Sequence, residues 1–187
     1  PSTESALPLP NYRSTNDLEV NDRYVELLGL HEAVPPGPGE CAVVVGPAGL
    51  LSSADALPGT VYVADKDTKL LDWMARSVEG MRVGETRTAY RKEVDNPRMW
   101  FTSEHDIFGD RHFLSSEERY AQAREALLKR SVAFVAMNFA EPAEIASLAD
   151  LLVAEAQQVC VFNATNMHRH ITGAYGLTGL EGYLRSL

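Results

Sequence analysis

Residues 41–65, CAVVVGPAGLLSSADALPGTVYVAD, constrain the fold more than any other stretch of this chain. Cys41-Ala42-Val43-Val44-Val45 carries no polar residue, so it lacks the apolar/polar alternation of a half-exposed strand. Such a run reads as a strand buried on both faces, the condition of a parallel sheet. Gly46-Pro47-Ala48-Gly49 then turns the chain, and a second apolar run, Val61-Tyr62-Val63-Ala64, closes on Asp65. An α/β nucleotide-binding domain places a ligand across this order of elements. Backbone amides after the first strand face the ligand, and a carboxylate after the second holds ribose hydroxyls.

The rest of the chain alternates helix and strand signals. Residues 1–16 form an irregular lead-in rich in Pro, Ser and Asn, and residues 17–187 read as a single domain. Leu18, Tyr24, Val25, Leu27 and Leu28 mark an amphipathic helix over 17–30 that stops at Gly29. Pro35-Pro36-Gly37-Pro38-Gly39 then delivers the chain to the first strand. Leu70, Leu71, Met74, Ala75 and Val78 predict a helix over 68–79, and a third strand is expected within 85–94. Residues 95–114 are a long irregular stretch carrying Trp100, Phe101, Phe108 and Phe113, the pattern of a lid or a self-packed insertion. Ser115, Ser116 and Glu118 signal the start of a helix that runs to Lys129. A fourth strand over 132–138, buried on both faces, a helix over 141–157 and a fifth strand over 159–162 follow. The alternation predicts an α/β doubly wound, mostly parallel sheet of about five to seven strands with helices on both faces.

Composition narrows the partners. At 187 residues and 45% hydrophobic, the chain can bury a substantial core. Seventeen Lys and Arg stand against 26 acids, for a net charge of -9, and no basic run occurs. Electrostatics therefore disfavours a nucleic-acid partner. No apolar run reaches the ~20 residues of a membrane span. The chain begins Pro1-Ser2 without a methionine, so its start says nothing of a leader. Cys41 and Cys160 each lie in an apolar run and read as buried free thiols. The expected topology keeps their strands apart, and no CxxC spacing occurs. The cytoplasm is the preferred compartment on this reading.

With these residues in place, the chain resembles the class I, Rossmann-like S-adenosylmethionine-dependent methyltransferases over residues 17–170. Val43-Val44-Val45-Gly46-Pro47-Ala48-Gly49 looks like that family's first strand and glycine turn, and Val63-Ala64-Asp65 like its second strand and acid. Residues 113–166 are similar to poorly characterised bacterial methyltransferase-like proteins. The resemblance implies S-adenosylmethionine as cofactor, an unknown methyl acceptor, a ribose-binding Asp65, and a glycine turn against the cofactor's amino-acid part. There are departures. The first-strand acid and a tight G-x-G-x-G are absent, and Pro47 removes an amide donor. Asn138 replaces the acid of the fourth strand, and no catalytic role is carried over for Asn138-Phe139-Ala140-Glu141-Pro142. These departures support the alternative, a cofactor-less Rossmann-like module that binds a protein partner. A nicotinamide-dependent oxidoreductase lacks its G-x-G-x-x-G.

The cofactor-binding candidates are Gly46, Gly49, Asp65 and Asn138. The glycines are close-approach positions or plain turn residues. Asp65 is a ribose ligand or a helix cap, a job for which Asp67 competes. Asn138 and Asn163 end strands at the edge where open α/β sheets bind ligands, and Asn166 follows. An amide suits an adenine edge or a substrate carbonyl, and equally a turn. Trp100, Phe101 and Phe108 are candidates to line an acceptor pocket. His168 and His170 would diverge by about 200° on a helix, and no metal-ligand spacing occurs, so the histidines read as solvated loop residues and no metal is expected. His105, His112 and His168 are candidates for a general base. Ser52-Ser53 pairs with no histidine, and no G-x-S-x-G elbow is present.

Overall fold

The computed structural model describes residues 37–46, 50–94 and 109–163. Four strands form one all-parallel sheet: β1 (Glu40–Val45), β2 (Thr60–Asp65), β3 (Ser131–Ala136) and β4 (Gln158–Asn163). Their order across the sheet is β3-β2-β1-β4. The chain thus steps outward from β1 to β2 to β3, then crosses back to add β4 on the other side of β1. Strand order reverses between β1 and β4, which makes their carboxyl ends the switch point of the sheet.

Local chemistry explains the helices. Asp67 caps α1 (Thr68–Val83), its carboxylate accepting from the Lys69 and Leu70 amides at 3.0 and 3.3 Å. Leu70, Leu71, Met74, Val78 and Met81 then recur at three- and four-residue spacing and are all buried. Ser116 caps α3 (Glu117–Leu128) through the Arg119 amide, with Glu117 and Glu118 in the first turn favouring the helix dipole. Pro142 opens α4 (Pro142–Ala154), where a missing amide costs nothing.

The third strand expected within 85–94 is instead a helix, α2 (Arg87–Glu93), capped by Thr86 through the Ala89 amide. Tyr90 and Val94 are buried while Arg91, Lys92 and Glu93 between them are exposed. That four-residue period fits a helix and no strand. The runs expected as fourth and fifth strands are therefore β3 and β4, and the described residues hold four strands. Nor is β3 buried on both faces. Among the described residues it pairs only with β2, at the edge of their sheet, and it is half-exposed along most of its length.

Side chains of the central strands alternate between two cores. Ala42, Val44, Val61 and Val63 pack with residues of α1, α2 and α3 on one face. Cys41, Val43, Tyr62 and Ala64 pack with Leu148 and Leu152 of α4 on the other. Between β1 and β2 the described residues 50–57 form turns, and most of their side chains are buried. Two arginines secure these turns. Arg119 donates to the Ser52 carbonyl and the Asp55 carboxylate, and Arg130 donates to the Asp55 and Leu57 carbonyls. Burial pushes the Asp55 carboxyl up, but the Arg119 hydrogen bond and charge outweigh it and hold its pKa below the ordinary value.

The cysteines do not lie apart as the expected topology had them. β4 pairs directly with β1, and the Cys160 sulfur sits 3.4 Å from the Cys41 carbonyl oxygen. Cys41 is buried and Cys160 half-buried, and both are free thiols. Among the described residues no helix is long and apolar enough to cross a membrane. The expected lead-in, the helix over 17–30 and the segment beyond 163 lie outside the described residues.

Candidate functional site

All four strands run the same way, so their carboxyl ends share one edge. At that edge the end of β1 meets the end of β2. Gly46 leaves β1 with φ +71 and donates its amide to the Ala64 carbonyl at 3.1 Å. This left-handed conformation lies open to glycine and is costly for most other residues, which explains the residue type at this turn. A Cβ at Gly46 would stand 3.5 Å from Asp65 Oδ2. The bare glycine backbone and the Asp65 carboxylate therefore face each other across the ends of the two strands.

The two neighbouring acids divide their work. Asp67 is committed to capping α1. Asp65 does not cap the helix. Its Oδ1 accepts the Asp67 amide at 2.9 Å, and Oδ2 is the oxygen that faces Gly46. Burial raises the Asp65 pKa above the ordinary carboxylate value, with the neighbouring Asp67 charge adding to it and backbone hydrogen bonds opposing it. An ionised carboxylate held in that state is under-solvated, and hydroxyl donors from a ligand would relieve it. Each carboxylate oxygen carries two lone pairs, so Asp65 retains acceptor capacity after its bond to Asp67. A vicinal diol fits this donor demand.

Asn163 ends β4 on the other side of the switch point. It pairs in register with Val44 of β1 and is 4% exposed. Asn138 stands at the same edge but on the far side of β2, following β3. Two strand spacings separate β3 from β1, or about 10 Å, so Asn138 is not beside Gly46. Its Oδ1 accepts the Ala140 amide at 3.1 Å, its own amide donates to Glu144 Oε2 at 2.6 Å, and its carbonyl accepts from Glu141. These bonds build the turn that launches α4.

Other candidates are placed differently from expectation. His112 is not a solvated loop residue. It is 1% exposed, its ring centroid lies 4.8 Å from that of Phe113, and its Nδ1 accepts the Leu114 amide. A base so enclosed cannot meet a substrate without the loop opening. Ser52 and Ser53 are buried as well, and Ser52 Oγ accepts the Phe113 amide at 3.3 Å. Among the described residues no three His, Cys, Asp or Glu side chains converge on a metal-sized site. Gly49, Asn166, His105, His168, His170, Trp100, Phe101 and Phe108 lie outside the described residues.

The structure thus brings Gly46, Asp65 and Asn163 around one end of the sheet and sets Asn138 at its outer corner. Sequence spacing gave no sign that Asn163 would flank Gly46, since 117 residues separate them and only the return of the chain to β4 joins them. Compared with protein-family models, with curated proteins and with solved structures, the chain matches none. The functional reading accordingly rests on the geometry of this edge.

Proposed function

We propose that this chain is a Rossmann-like, S-adenosylmethionine-dependent methyltransferase-like domain that transfers a methyl group to an acceptor. One observation carries the proposal: the left-handed Gly46 faces the half-buried Asp65 carboxylate beside the point where strand order reverses. When bound, this cofactor supplies a methyl group already activated on a sulfonium, so the protein's task is alignment more than acid–base chemistry. Gly46 and Gly49 would admit the cofactor's amino-acid part close to the backbone, and Asp65 would accept from the two ribose hydroxyls. The adenine would then extend away from β1, which puts Asn138 on the adenine side of the site and Asn163 across the switch point.

The connection from β1 to β2 separates this cofactor from the dinucleotides. A pyrophosphate is held by the amino end of a helix that starts directly after β1. Among the described residues that connection is a set of turns, with no helix. A nucleoside cofactor without phosphates does not need one. The same observation also supports a second reading, a cofactor-less module whose β1–β2 connection serves only packing and whose partner is another protein.

Calorimetric titration with S-adenosylhomocysteine, NADH and ATP tests the proposal. Binding of the first alone, lost in Asp65→Ala with the fold intact by circular dichroism, is the expected result. Silence towards all three at millimolar concentration would overturn it in favour of the interaction module.

A further inference from the structure

The sheet by itself does not settle how the Asp65 carboxylate is turned. Backbone bonds hold the end of β2 from both sides. The Gly46 amide donates to the Ala64 carbonyl at 3.1 Å, and the Met137 amide donates to the Asp65 carbonyl at 3.0 Å. These bonds fix where the Asp65 side chain starts. They leave open the plane of its carboxylate, because the last torsion of an aspartate is broad and roughly two-fold. That plane decides which oxygen a ligand meets. The Asp67 amide sets it by donating to Oδ1 at 2.9 Å, while Oδ2 stands towards Gly46.

That amide is in turn held by α1. Asp67 is the N-cap of the helix, with extended backbone at φ -84 and ψ 97. Its carboxylate accepts the Lys69 and Leu70 amides, and its carbonyl accepts the Leu71 amide at 3.1 Å. Bonded to the first turn through both groups, the residue cannot swing its N–H away from Asp65 without breaking the cap. Its charge works the other way. The Asp67 carboxylate opposes ionisation of Asp65, whereas the Asp67 and Lys66 amides and the Lys66 ammonium favour it. Orientation and charge therefore act on Asp65 with opposite sign. Substitution can separate them, because asparagine caps a helix about as well as aspartate and carries no charge.

We propose that Asp67 is a positioning residue of the candidate site: by capping α1 it fixes its own amide, and that amide holds the Asp65 carboxylate with Oδ2 turned to the glycine turn. The assignment takes its ligand, the ribose hydroxyls, from the cofactor reading above and its geometry from the bonds between Asp65, Asp67 and α1. Asp67 acts only through Asp65. Without the cap, the Asp67 amide no longer has a fixed direction, the Asp65 carboxylate can turn about its last torsion, and two hydroxyls at fixed spacing lose an acceptor aligned to receive them. The start of α1 thus aims the acid at the end of β2.

The test compares the full chain with Asp67→Asn and Asp67→Ala by NMR titration of carboxyl carbons and by calorimetry with S-adenosylhomocysteine. Asp65→Asn identifies the Asp65 signal by its loss. In Asp67→Asn, Asp65 should titrate at lower pH than in the wild type, since the opposing charge is gone and the amide stays held. In Asp67→Ala it should titrate at higher pH than in Asp67→Asn, because the two variants lack the same charge and differ in the hold on the amide. Affinity should follow the same order. Asp67→Asn should bind at least as tightly as the wild type, and Asp67→Ala roughly tenfold more weakly, the worth of one hydrogen bond to a charged group. A cap that serves the helix alone would lower the stability of Asp67→Ala and leave Asp65 titrating at the same pH in both variants. That result overturns the proposal, as does equal affinity of the two variants for a ligand that the wild type binds. If the wild type binds no S-adenosylhomocysteine, the cofactor reading fails, and the titration still decides whether Asp67 holds Asp65.

Discussion

Replacing Gly46 by alanine singles out the left-handed residue on which the candidate site depends. Among the described residues the added Cβ would meet only Asp65 Oδ2, at 3.5 Å, which is ordinary contact, so lack of space beside them is not the cost. The cost is conformational. An L-residue held at φ +71 loses roughly 1–2 kcal/mol relative to a right-handed one. Restricting the unfolded chain returns about 0.4–1 kcal/mol of this. Gly59 is the internal control, a loop glycine outside the left-handed region with no atom of the described residues within 4 Å of an added Cβ. Gly59→Ala should therefore stabilise by about 0.4–1 kcal/mol. The two alanine variants should differ by roughly 1–2 kcal/mol, with Gly46→Ala the less stable. Gly46→Asn should recover part of the loss, because asparagine tolerates this region. Urea denaturation followed by tryptophan fluorescence measures all three, with unchanged m-values showing that the surface exposed on unfolding is the same in each. Equal stability of the two alanine variants would refute the left-handed assignment, and with it the close-approach role given to Gly46.

The remaining predictions concern the ends of β2 and α1. Asp65 has a raised folded pKa, chiefly from burial, so its contribution to stability is fully present below the ordinary carboxylate range and declines as pH rises through the folded value. Asp65→Asn should thus equal wild type at acid pH and exceed its stability at pH 7 while losing cofactor affinity; urea midpoints at the two pH values would expose the reverse order. Gly84 has an ordinary φ of -77, but a Cβ there would lie 2.8–2.9 Å from the Gly80 carbonyl and the Tyr90 backbone, neither of which can rotate away. Gly84→Ala should force α1 and α2 apart and cost about 1–3 kcal/mol, read from the same urea curves; a neutral effect would mean that the helices do not touch there. Tyr120 is fully buried and donates its hydroxyl to the Gly84 carbonyl at 2.5 Å. Burial pushes its phenol up to about 12. Tyr120→Phe keeps the ring beside Tyr90 and should cost about 1–3 kcal/mol for the stranded carbonyl; a smaller loss would show that water replaces the hydroxyl.

Short-range signals were legible in the chain wherever one residue type had one physical use. Unbroken apolar runs marked β1 and β2, and apolar residues at helical spacing from Leu70 to Val78 marked α1, with its cap left open between Asp65 and Asp67. The same signals misled at residues 87–93, where a seven-residue helix offers Tyr90 as its only fully buried side chain and the alternation of elements asked for a strand. His112 read as solvated because its immediate neighbours Asp110 and Arg111 are polar; Phe113 and the buried turns after β1 decide otherwise. Of the proposed site, Gly46 and Asp65 were visible, since each ends an apolar run. Where Asn138 stands relative to Gly46, and that Cys160 lies against Cys41, were not. Those facts depend on the order β3-β2-β1-β4, and strand order is set by which buried surfaces meet across the whole chain. Periodicity and capping act over three or four residues. The crossover that seats β4 beside β1 joins residues more than a hundred positions apart, and only the folded packing of two cores against one sheet determines it.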